Sequence, residues 1–328
     1  MKGGRISKLL KIFFTAVFLL LLPLSASYVA SKAAEKIYIF KKRSEIQVTA
    51  SEIVDNIHSR TIYSKSMGSA SILGIINTYI KSIVLGGLPL DHPVVADIQE
   101  VLLKENDAEA VYLLSRDGTV VSYSDVSPIS LTGQNFSFRP YFIQAMKGVQ
   151  NVYAAQGISS KTRGLYIATP VYADKMSGSP VIGVMVVKDS IKNLENFISR
   201  YEDPVFMVSP HGVVFASNRP EYLYKVAGRL DSERKKRLSS LRRFGSGFQE
   251  QAGELGAVLD GEDITLGGEK YLVKTHPIDW NDLEGSWQIA YLVKMDEILP
   301  PLVRNSVFWT VFSVVLTVQL MIFITAGS

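Results

Sequence analysis

Two long uncharged apolar segments lie near the two ends of the chain. Residues 12–30 have about the length that a helix needs to cross a bilayer, roughly 20 residues. Residues 307–326 contain Gln319 as their only strongly polar side chain and show no polar face, unlike a core helix of a soluble protein. The pattern predicts two transmembrane helices, assigned to residues 12–30 and 305–328, on either side of one large middle region.

The first apolar segment also fits a cleaved signal peptide. Pro23 interrupts its apolar core, and Ser25, Ala26 and Ser27 offer small residues for cleavage. We favour a retained anchor and keep the signal peptide as the alternative. Both alternatives export the residues that follow.

A long helix is predicted after the first apolar segment. Residues 28–65 contain no Pro and no Gly, and Ile39, Ile46 and Ile53 recur at seven-residue spacing, with Ile57 one turn later. This apolar stripe has two alternative partners: its own domain, or a second copy of the chain in a homodimer.

The pattern then changes from helices to strands. A helical connector includes a predicted helix over residues 72–85, and residues 111–124 form two β-rich runs joined by Asp117 and Gly118, a typical hairpin turn. A short helix is predicted at residues 142–147. Strands are predicted at residues 151–157, 165–172 and 181–188.

The hairpin pattern occurs a second time at residues 205–218. Four residues of the first copy match four of the second: Val111, Ser115, Gly118 and Val120 correspond to Val205, Ser209, Gly212 and Val214. A helix over residues 232–243 and strands at residues 269–276 and 287–293 follow. Two copies of one supersecondary unit explain this order, which predicts an α+β fold with two antiparallel sheets.

The charged residues indicate the topology. The chain has a net charge of +4, from 35 Lys and Arg against 31 Asp and Glu. Lys2, Arg5, Lys8 and Lys11 precede the first acidic residue, Glu35, and the rest of the chain is electrically balanced. A basic tip before an apolar segment is typical of a cytoplasmic terminus, whereas a nucleic-acid-binding domain carries its basic excess on a folded surface. We therefore expect cytoplasmic termini, an exported middle and no nucleic-acid partner.

Catalytic and metal-binding motifs are not evident in the sequence. The chain has no Cys, and His58, His92, His211 and His276 have no neighbour at metal-ligand spacing. His211 precedes Gly212 and is expected in a turn. No nucleophile elbow, P-loop or dinucleotide-binding fingerprint is present. We expect no cofactor, no catalytic residue and no metal site, which leaves an exported hydrolase as the weakest alternative.

Six basic residues cluster in the helix predicted over residues 232–243. They are Arg234, Lys235, Lys236, Arg237, Arg242 and Arg243. The cluster is predicted to be a solvated face, and a partner or lipid surface is the alternative.

Polar residues suited to binding an anion concentrate in the first copy. Arg139 and Tyr141 are two residues apart, residues 157–164 offer hydroxyl groups in a loop between two strands, and Lys188 ends an apolar strand. An Arg fork, a Lys charge and hydroxyl donors suit a small carboxylate. The alternative is that Arg139 makes local salt bridges and that Lys188 is exposed at a strand end.

The exported region resembles the double Cache, tandem PAS-like sensor domains of bacterial membrane receptors, most closely those of C4-dicarboxylate sensor histidine kinases. Residues 135–148, which read NFSFRPYFIQAMKG, carry the similarity together with residues 157–170, 186–188 and 209–221. The resemblance implies two tandem PAS-like modules after a long N-terminal helix. It also implies that Arg139, Tyr141, Ser159, Ser160 and Lys188 lie where such receptors contact a ligand carboxylate. Arg163, Tyr166 and Thr169 complete the predicted ligand-binding set.

One stretch departs from the family. Where the dicarboxylate sensors typically read PGYYLSYP, residues 163–170 read RGLYIATP. A serine hydroxyl is lost at Ala168 and a ring at Leu165, while Arg163 adds a positive charge. These changes leave the identity of the ligand open and favour a more anionic or differently shaped acid.

The resemblance implies the following organisation. A cytoplasmic tip (residues 1–11) and a transmembrane helix (12–30) precede the long helix and connector (31–107), a membrane-distal ligand-binding module (108–200), a membrane-proximal module (201–304) and a second transmembrane helix (305–328). Such a chain is the input region of a receptor, and we expect a sensor histidine kinase whose output domain is missing or on another chain. The alternatives are a diguanylate cyclase, a chemoreceptor, or a membrane-tethered interaction protein without a small ligand.

Overall fold

The computed structural model describes residues 3–126, 130–158, 160–175, 179–298 and 301–327. Its first third is helical, with α1 at Gly3–Arg60, α2 at Lys65–Ile76, α3 at Thr78–Val84 and α4 at Pro93–Asn106. α1 runs through Pro23 and combines the first apolar segment and the predicted long helix in one element.

The prediction of a single helix over residues 72–85 is wrong, because the segment forms two helices. Asn77 divides it into α2 and α3, because its Oδ1 accepts hydrogen bonds from the backbone N–H groups of Tyr79 and Ile80. Side chains of this type stabilise a helix start by satisfying N–H groups that have no partner within the helix. The polar residue therefore starts a new helix instead of continuing the old one.

The first antiparallel sheet has five strands in the order β2-β1-β5-β4-β3. The strands are β1 at Ala110–Ser115, β2 at Val120–Asp125, β3 at Asn151–Gln156, β4 at Arg163–Tyr172 and β5 at Val181–Ser190, and α5 at Pro140–Met146 lies between β2 and β3 in sequence. Residues of α5 pack into the core on one face of this sheet. α2 packs on β4, so closely that a Cβ at Gly74 would lie 2.7 Å from the carbonyl oxygen of Pro170.

The second sheet has five strands in the order β10-β11-β12-β6-β7. Its strands are β6 at Val205–Val208, β7 at Val214–Ser217, β10 at Asp263–Leu266, β11 at Glu269–Ile278 and β12 at Trp287–Lys294. The connections contain α6 at Ile191–Ile198, a 3₁₀ turn at Pro220–Tyr222, α7 at Ser232–Ser240, α8 at Gly245–Gln251, and the parallel pair β8 at Lys225–Val226 and β9 at Gly253–Glu254. The chain ends in α9 at Met295–Ile298 and α10 at Pro301–Gly327.

The predicted repeat is confirmed by the connectivity of the two sheets. The order β2-β1-β5-β4-β3 corresponds strand by strand to β7-β6-β12-β11-β10. Both first hairpins have a register shift at matching positions, after Leu113 in one and after Met207 in the other. Their turns place Gly118 and Gly212 at φ values of 86° and 81°, a conformation that glycine adopts without strain. The α+β fold with two similar sheets is therefore as predicted.

The prediction that all six basic residues of the 232–243 segment are solvated is wrong. Lys235, Lys236, Arg237 and Arg242 are exposed, and Arg234 is half-buried. Arg243 is fully buried, because α7 ends at Ser240 and the chain turns inward to form ion pairs with Asp282 and Glu284. Burial of this guanidinium depends on those two carboxylates.

The chain divides into two compact units. One comprises Val48–Glu269 and Val273–Leu292, and the other Met1–Gln47, Lys270–Leu272 and Val293–Ser328. In the first unit Ile53 and Ile57 are fully buried, so this part of the α1 stripe is covered by the chain itself. The predicted boundaries at residues 107/108 and 200/201 stay predictions.

Within the described residues, two helices are long and apolar enough to cross a membrane, judged by length and composition. They are the apolar stretch of α1 that begins at Val17 and the window Asn305–Ile322 of α10. Both stretches contribute to the second unit, where Nε2 of Gln319 donates a hydrogen bond of 3.4 Å to the carbonyl oxygen of Phe18. The polar residue of the second apolar segment thus contacts the backbone of the first.

Candidate functional site

One row of side chains crosses a face of the first sheet. In the antiparallel register, Ala110 on β1 lies opposite Asp125 on β2 and Lys188 on β5, and Lys188 lies opposite Tyr166 on β4. Because alternate residues of a strand share a face, Tyr112 lies on the same side as Ala110. These five residues line a cavity of about 40 Å³.

The opposite wall of the cavity comes from α5 and two loops. Pro140 occupies the first turn of α5, where a backbone N–H would have no partner within the helix. Arg139 and Tyr141 therefore lie at the N-terminal end of α5. The loop after β3 contributes Ser160. The remaining lining residues are Tyr123, Leu131, Phe136, Gly157 and Ile158.

Lys188 is buried and charged at the centre of the row. Its side chain is 8% exposed, and its Nζ lies 2.6 Å from Oε2 of Glu109. It also donates hydrogen bonds of 2.8 Å to Oγ1 of Thr162 and 3.2 Å to Oγ of Ser160. The alternative that Lys188 is simply exposed at a strand end is therefore wrong. A buried ammonium needs such acceptors, and a ligand carboxylate is another acceptor of the same kind.

Arg139 is the second cation of the cavity. The residue is 4% exposed, and its Nη1 makes a long contact of 3.5 Å with the carbonyl oxygen of Arg242. Its guanidinium also lies 5.6 Å from the ring centroid of Phe138. Among the residues that the structure describes, no carboxylate forms an ion pair with Arg139. Since a buried guanidinium favours an anionic partner, the arrangement suits an anionic ligand.

Tyrosine hydroxyls supply neutral donors in the same cavity. Tyr112 donates a hydrogen bond of 3.0 Å to the hydroxyl oxygen of Tyr141, whose ring stacks on Tyr166 at a centroid distance of 5.5 Å. Burial raises the pKa of Tyr141 to about 12 and raises the pKa values of Tyr112 and Tyr166 as well. All three hydroxyls therefore stay protonated at neutral pH. Tyr123 donates a hydrogen bond to Asp125.

The structure places five of the eight predicted ligand residues around this cavity: Arg139, Tyr141, Ser160, Tyr166 and Lys188. Ser159 lies outside the described residues. Arg163 does not line the cavity; its Nη1 lies 2.8 Å from Oε1 of Glu195 and 2.5 Å from the carbonyl oxygen of Phe215. Thr169 is buried within β4, three residues from Tyr166 and therefore on the other face of the sheet. The ligand-binding role of Arg163, Ser159 and Thr169 stays a prediction.

The sequence analysis did not single out three residues near the cavity: Tyr112, Asp125 and Glu109. The hairpin signal could have identified Tyr112 and Asp125, because the Asp117–Gly118 turn fixes which residues of β1 and β2 share a face. Glu109, the carboxylate next to Lys188, precedes β1 in an irregular segment, and no sequence signal points to it.

The site offers cationic and neutral hydrogen-bond donors rather than metal ligands. Within the described ranges, no group of three His, Cys, Asp or Glu side chains is arranged to hold a metal ion. Two buried cations and several hydroxyl groups around one small cavity are the recognition chemistry of an anion.

Two consecutive sheets of the same connectivity, with a donor-rich cavity on the first, define a tandem PAS-like sensor domain of the double Cache type. The chain belongs to the Cache domain family, since the dCache_1 family model matches residues 42–302. The predicted family resemblance is therefore confirmed.

Known relatives agree with this assignment. The C4-dicarboxylate transport sensor protein DctB of Pseudomonas aeruginosa is 29% identical over 177 residues, which is 50% of this chain and 28% of that protein. The match thus spans less than a third of the relative's length. The sensor domain of the Vibrio cholerae histidine kinase DctB has the same fold, with a TM-score of 0.60, 20% identity, and coverage of 77% of this chain and 98% of that domain.

A chemoreceptor domain shares the fold more distantly. The ligand-binding domain of Pseudomonas fluorescens CtaA, solved in complex with L-alanine, aligns with a TM-score of 0.50 at 18% identity. The alignment covers 77% of this chain and 97% of that domain. At these identities the similarity establishes the fold.

Proposed function

We propose that the chain is the extracytoplasmic input region of a transmembrane receptor and binds a small carboxylate in the cavity of its first module. The observation that carries the proposal is the convergence of two buried cations, Arg139 and Lys188, on one cavity with protonated tyrosine hydroxyls. The carboxylate is held by hydrogen bonds from the guanidinium and the ammonium, and the tyrosines exclude water around it.

Glu109 competes with a ligand for the ammonium group of Lys188. Its carboxylate already forms an ion pair with the Lys188 ammonium, with Oε2 at 2.6 Å from Nζ. A ligand carboxylate at Lys188 therefore either shares the ammonium with Glu109 or displaces it. Arg139, which forms no ion pair with a described carboxylate, is the stronger attraction for the incoming anion.

The small cavity favours a compact acid. Its volume of about 40 Å³ suits a short-chain carboxylate, and two cations match the charge of a short dicarboxylate. The relative DctB is named as a C4-dicarboxylate transport sensor, which is consistent with an acid of this class. Acetate, malonate and succinate are therefore suitable probes.

Calorimetric titration of the full chain in lipid nanodiscs tests the site. We expect saturable binding of at least one of the three acids. Lys188→Met and Arg139→Ala should each weaken it by about 10- to 100-fold, the loss that corresponds to one charge-assisted hydrogen bond of about 1.5–3 kcal/mol. Lys192→Met removes an exposed charge from α6 and should bind like the wild type. Binding that is unchanged in Lys188→Met and Arg139→Ala would refute the carboxylate site.

An amino acid is the second candidate ligand. Asp125 lines the same cavity beside Tyr123, and a carboxylate there is a partner for the ammonium group of an amino acid. CtaA was solved with L-alanine bound in a domain of the same fold. Binding of L-alanine without binding of propionate would favour this candidate over a simple acid.

The proposal extends to the membrane and to the rest of the receptor. Two apolar helices suit a chain with a cytoplasmic N-terminus, an exported middle and a cytoplasmic C-terminal end. Ile37 and Phe40 on α1 are largely exposed and offer an apolar surface for a second copy of the chain. The output is a histidine kinase in this proposal, as in the relative DctB; a diguanylate cyclase and a chemoreceptor are the alternatives.

The topology can be tested with single cysteines, because the natural chain contains none. In intact cells, a membrane-impermeant maleimide should label Ser232→Cys, an exposed position at the start of α7, and should leave Ser7→Cys unlabelled. Both positions should react after permeabilisation. Labelling of Ser7→Cys in intact cells would overturn the proposed orientation.

A further inference from the structure

Gln156 connects the turn beside the cavity to the second module. It is the last residue of β3, it is buried, and it is not among the residues that line the cavity. Its side-chain Nε2 donates a hydrogen bond to the carbonyl oxygen of Lys161, and its Oε1 accepts one of 3.4 Å from the backbone N–H of Gly247. Its backbone N–H donates to the carbonyl oxygen of Arg243 at 2.8 Å. Gln156 is therefore bonded both to the turn that follows β3 and to the second module.

The second module packs closely against this side chain. Gly245, the first residue of α8, has a φ of 59°, a left-handed conformation that glycine adopts without strain. A Cβ at Gly245 would lie 1.9 Å from Oε1 and 2.6 Å from Cδ of Gln156. A larger residue at this position would therefore have to displace the Gln156 amide.

The hydrogen bond to Lys161 acts on the turn that supplies hydroxyl groups to Lys188. This turn is closed by backbone hydrogen bonds of 2.8 Å from Gly157 to Thr162 and of 3.1 Å from Lys161 to Gly157. Lys161 has a φ of 55°, which is uncommon for a residue with a side chain and depends on its surroundings. The next residue, Thr162, accepts a hydrogen bond of 2.8 Å from the Lys188 Nζ. A displacement of the Lys161 carbonyl group would therefore also displace the acceptor of Lys188.

The same segment of the second module also reaches the other cation of the cavity. Nη1 of Arg139 lies 3.5 Å from the carbonyl oxygen of Arg242. The guanidinium groups of Arg139 and Arg242 lie 5.6 and 5.8 Å from the ring centroid of Phe138. Residues 242–247 thus contact Arg139 directly and act on Lys188 through Gln156 and the turn.

We propose that Gln156 is a positioning residue for the carboxylate site and that residues 242–247 of the second module hold its amide in place. This inference deepens the proposed function and rests on it for the effect on ligand affinity. The amide fixes the turn, and the turn fixes the ammonium of Lys188 at the cavity before the ligand arrives. Such order in the free site increases affinity, because less flexibility is lost on binding. The second module therefore contributes to affinity without lining the cavity.

Amide hydrogen exchange of the full chain in lipid nanodiscs tests the positioning without a ligand. Gln156→Met keeps the length of the side chain but removes its donor and its acceptor. Peptides that contain Gly157 and Lys161 should exchange about fivefold faster in this variant, the factor that corresponds to one neutral hydrogen bond, and peptides of β1 should exchange as in the wild type. Gly245→Ala should accelerate exchange in the same turn, because its methyl group displaces the amide.

Two matched controls separate this effect from general destabilisation. Gln249→Met makes the same change at an exposed position of α8. Gly256→Ala puts a side chain on a residue with a φ of 79°, where no described atom lies within 4 Å of the added Cβ. Both controls should leave exchange in the turn unchanged. Equal acceleration by Gly245→Ala and Gly256→Ala, or unchanged exchange in Gln156→Met, would overturn the proposal.

Calorimetric titration of the same variants with succinate measures the effect on the site. Gln156→Met and Gly245→Ala should each weaken binding about 3- to 10-fold, and the two controls should bind like the wild type. In a Thr162→Val background, Gln156→Met should weaken binding by less than about twofold, because both changes act through the same turn. Unchanged affinity in Gln156→Met would refute a positioning role. A failure of the carboxylate site itself is distinguishable, since the exchange comparison uses no ligand.

Discussion

We expect Arg243→Met to lower the free energy of unfolding by about 3–5 kcal/mol, because it removes the partner of a buried carboxylate. Nη1 and Nη2 of Arg243 lie 2.7 and 3.0 Å from the two carboxylate oxygens of Asp282, and both side chains are fully buried. Nη2 is also 3.0 Å from Oε2 of Glu284. Urea unfolding followed by tryptophan fluorescence measures the loss, since Trp280 and Trp287 are buried nearby.

The neighbouring residue supplies the matched control. Arg242→Met removes the same charge from an exposed position and should change the stability by no more than about 0.5 kcal/mol. Adding Asp282→Asn to Arg243→Met should recover part of the loss, because the uncompensated buried charge is then absent. Equal losses in Arg242→Met and Arg243→Met would contradict a specific role of the buried pair.

Arg243 also connects the two sheets of the sensor domain. Its guanidinium lies 4.1 Å from the ring centroid of Tyr153, and its carbonyl oxygen accepts a hydrogen bond of 2.8 Å from the backbone N–H of Gln156. The backbone N–H of Val152 donates to the carbonyl oxygen of Trp280 at 2.9 Å. β3 is the edge strand of the first sheet. Its edge that faces away from β4 is hydrogen-bonded to residues of the second module. The ion pair therefore stabilises the junction between the first sheet and the residues that follow in the second module.

The fold could be predicted from the sequence where local signals repeat. The Asp117–Gly118 turn and the matching Gly212 turn each specify a hairpin, and two copies of one strand order follow from that repetition. The division of residues 72–85 at Asn77 was missed, because an apolar helical pattern does not show which polar residue interrupts it. The helix start depends on one side chain that caps it.

The candidate site was predictable in part, for a similar reason. Arg139 and Lys188 were predicted from their types and positions, and the structure places both around the cavity. Thr169 lies on the other face of the sheet from Tyr166, because residues three apart on a strand point to opposite faces, so the sequence pattern of one strand does not show which residues share a cavity. Arg243 was misassigned because a basic run has the same pattern whether its last residue is solvated or buried. Its partners, Asp282 and Glu284, lie far along the chain, and only the tertiary structure brings them together.

Asp189→Asn should stabilise the protein at pH 8 by roughly 2–4 kcal/mol and should have little effect near pH 4. Burial raises the pKa of Asp189 to about 7 in the folded protein, whereas the unfolded chain has an ordinary pKa near 4. The folded state therefore binds the Asp189 proton more tightly. The bound proton stabilises the folded state fully below about pH 4. This stabilisation is lost as the pH rises from about 4 to about 7 and does not return at higher pH. Asn cannot ionise, so the variant avoids this loss.

Urea unfolding of the wild type and Asp189→Asn at pH 4.5, 6 and 8 measures the effect. Asp117→Asn is a control with an effect of the opposite sign. Hydrogen bonds from Ser115 and Thr119 lower the pKa of Asp117, so this variant should lose stability relative to the wild type as the pH rises. A stability difference between Asp189→Asn and the wild type that does not change with pH would contradict a raised pKa.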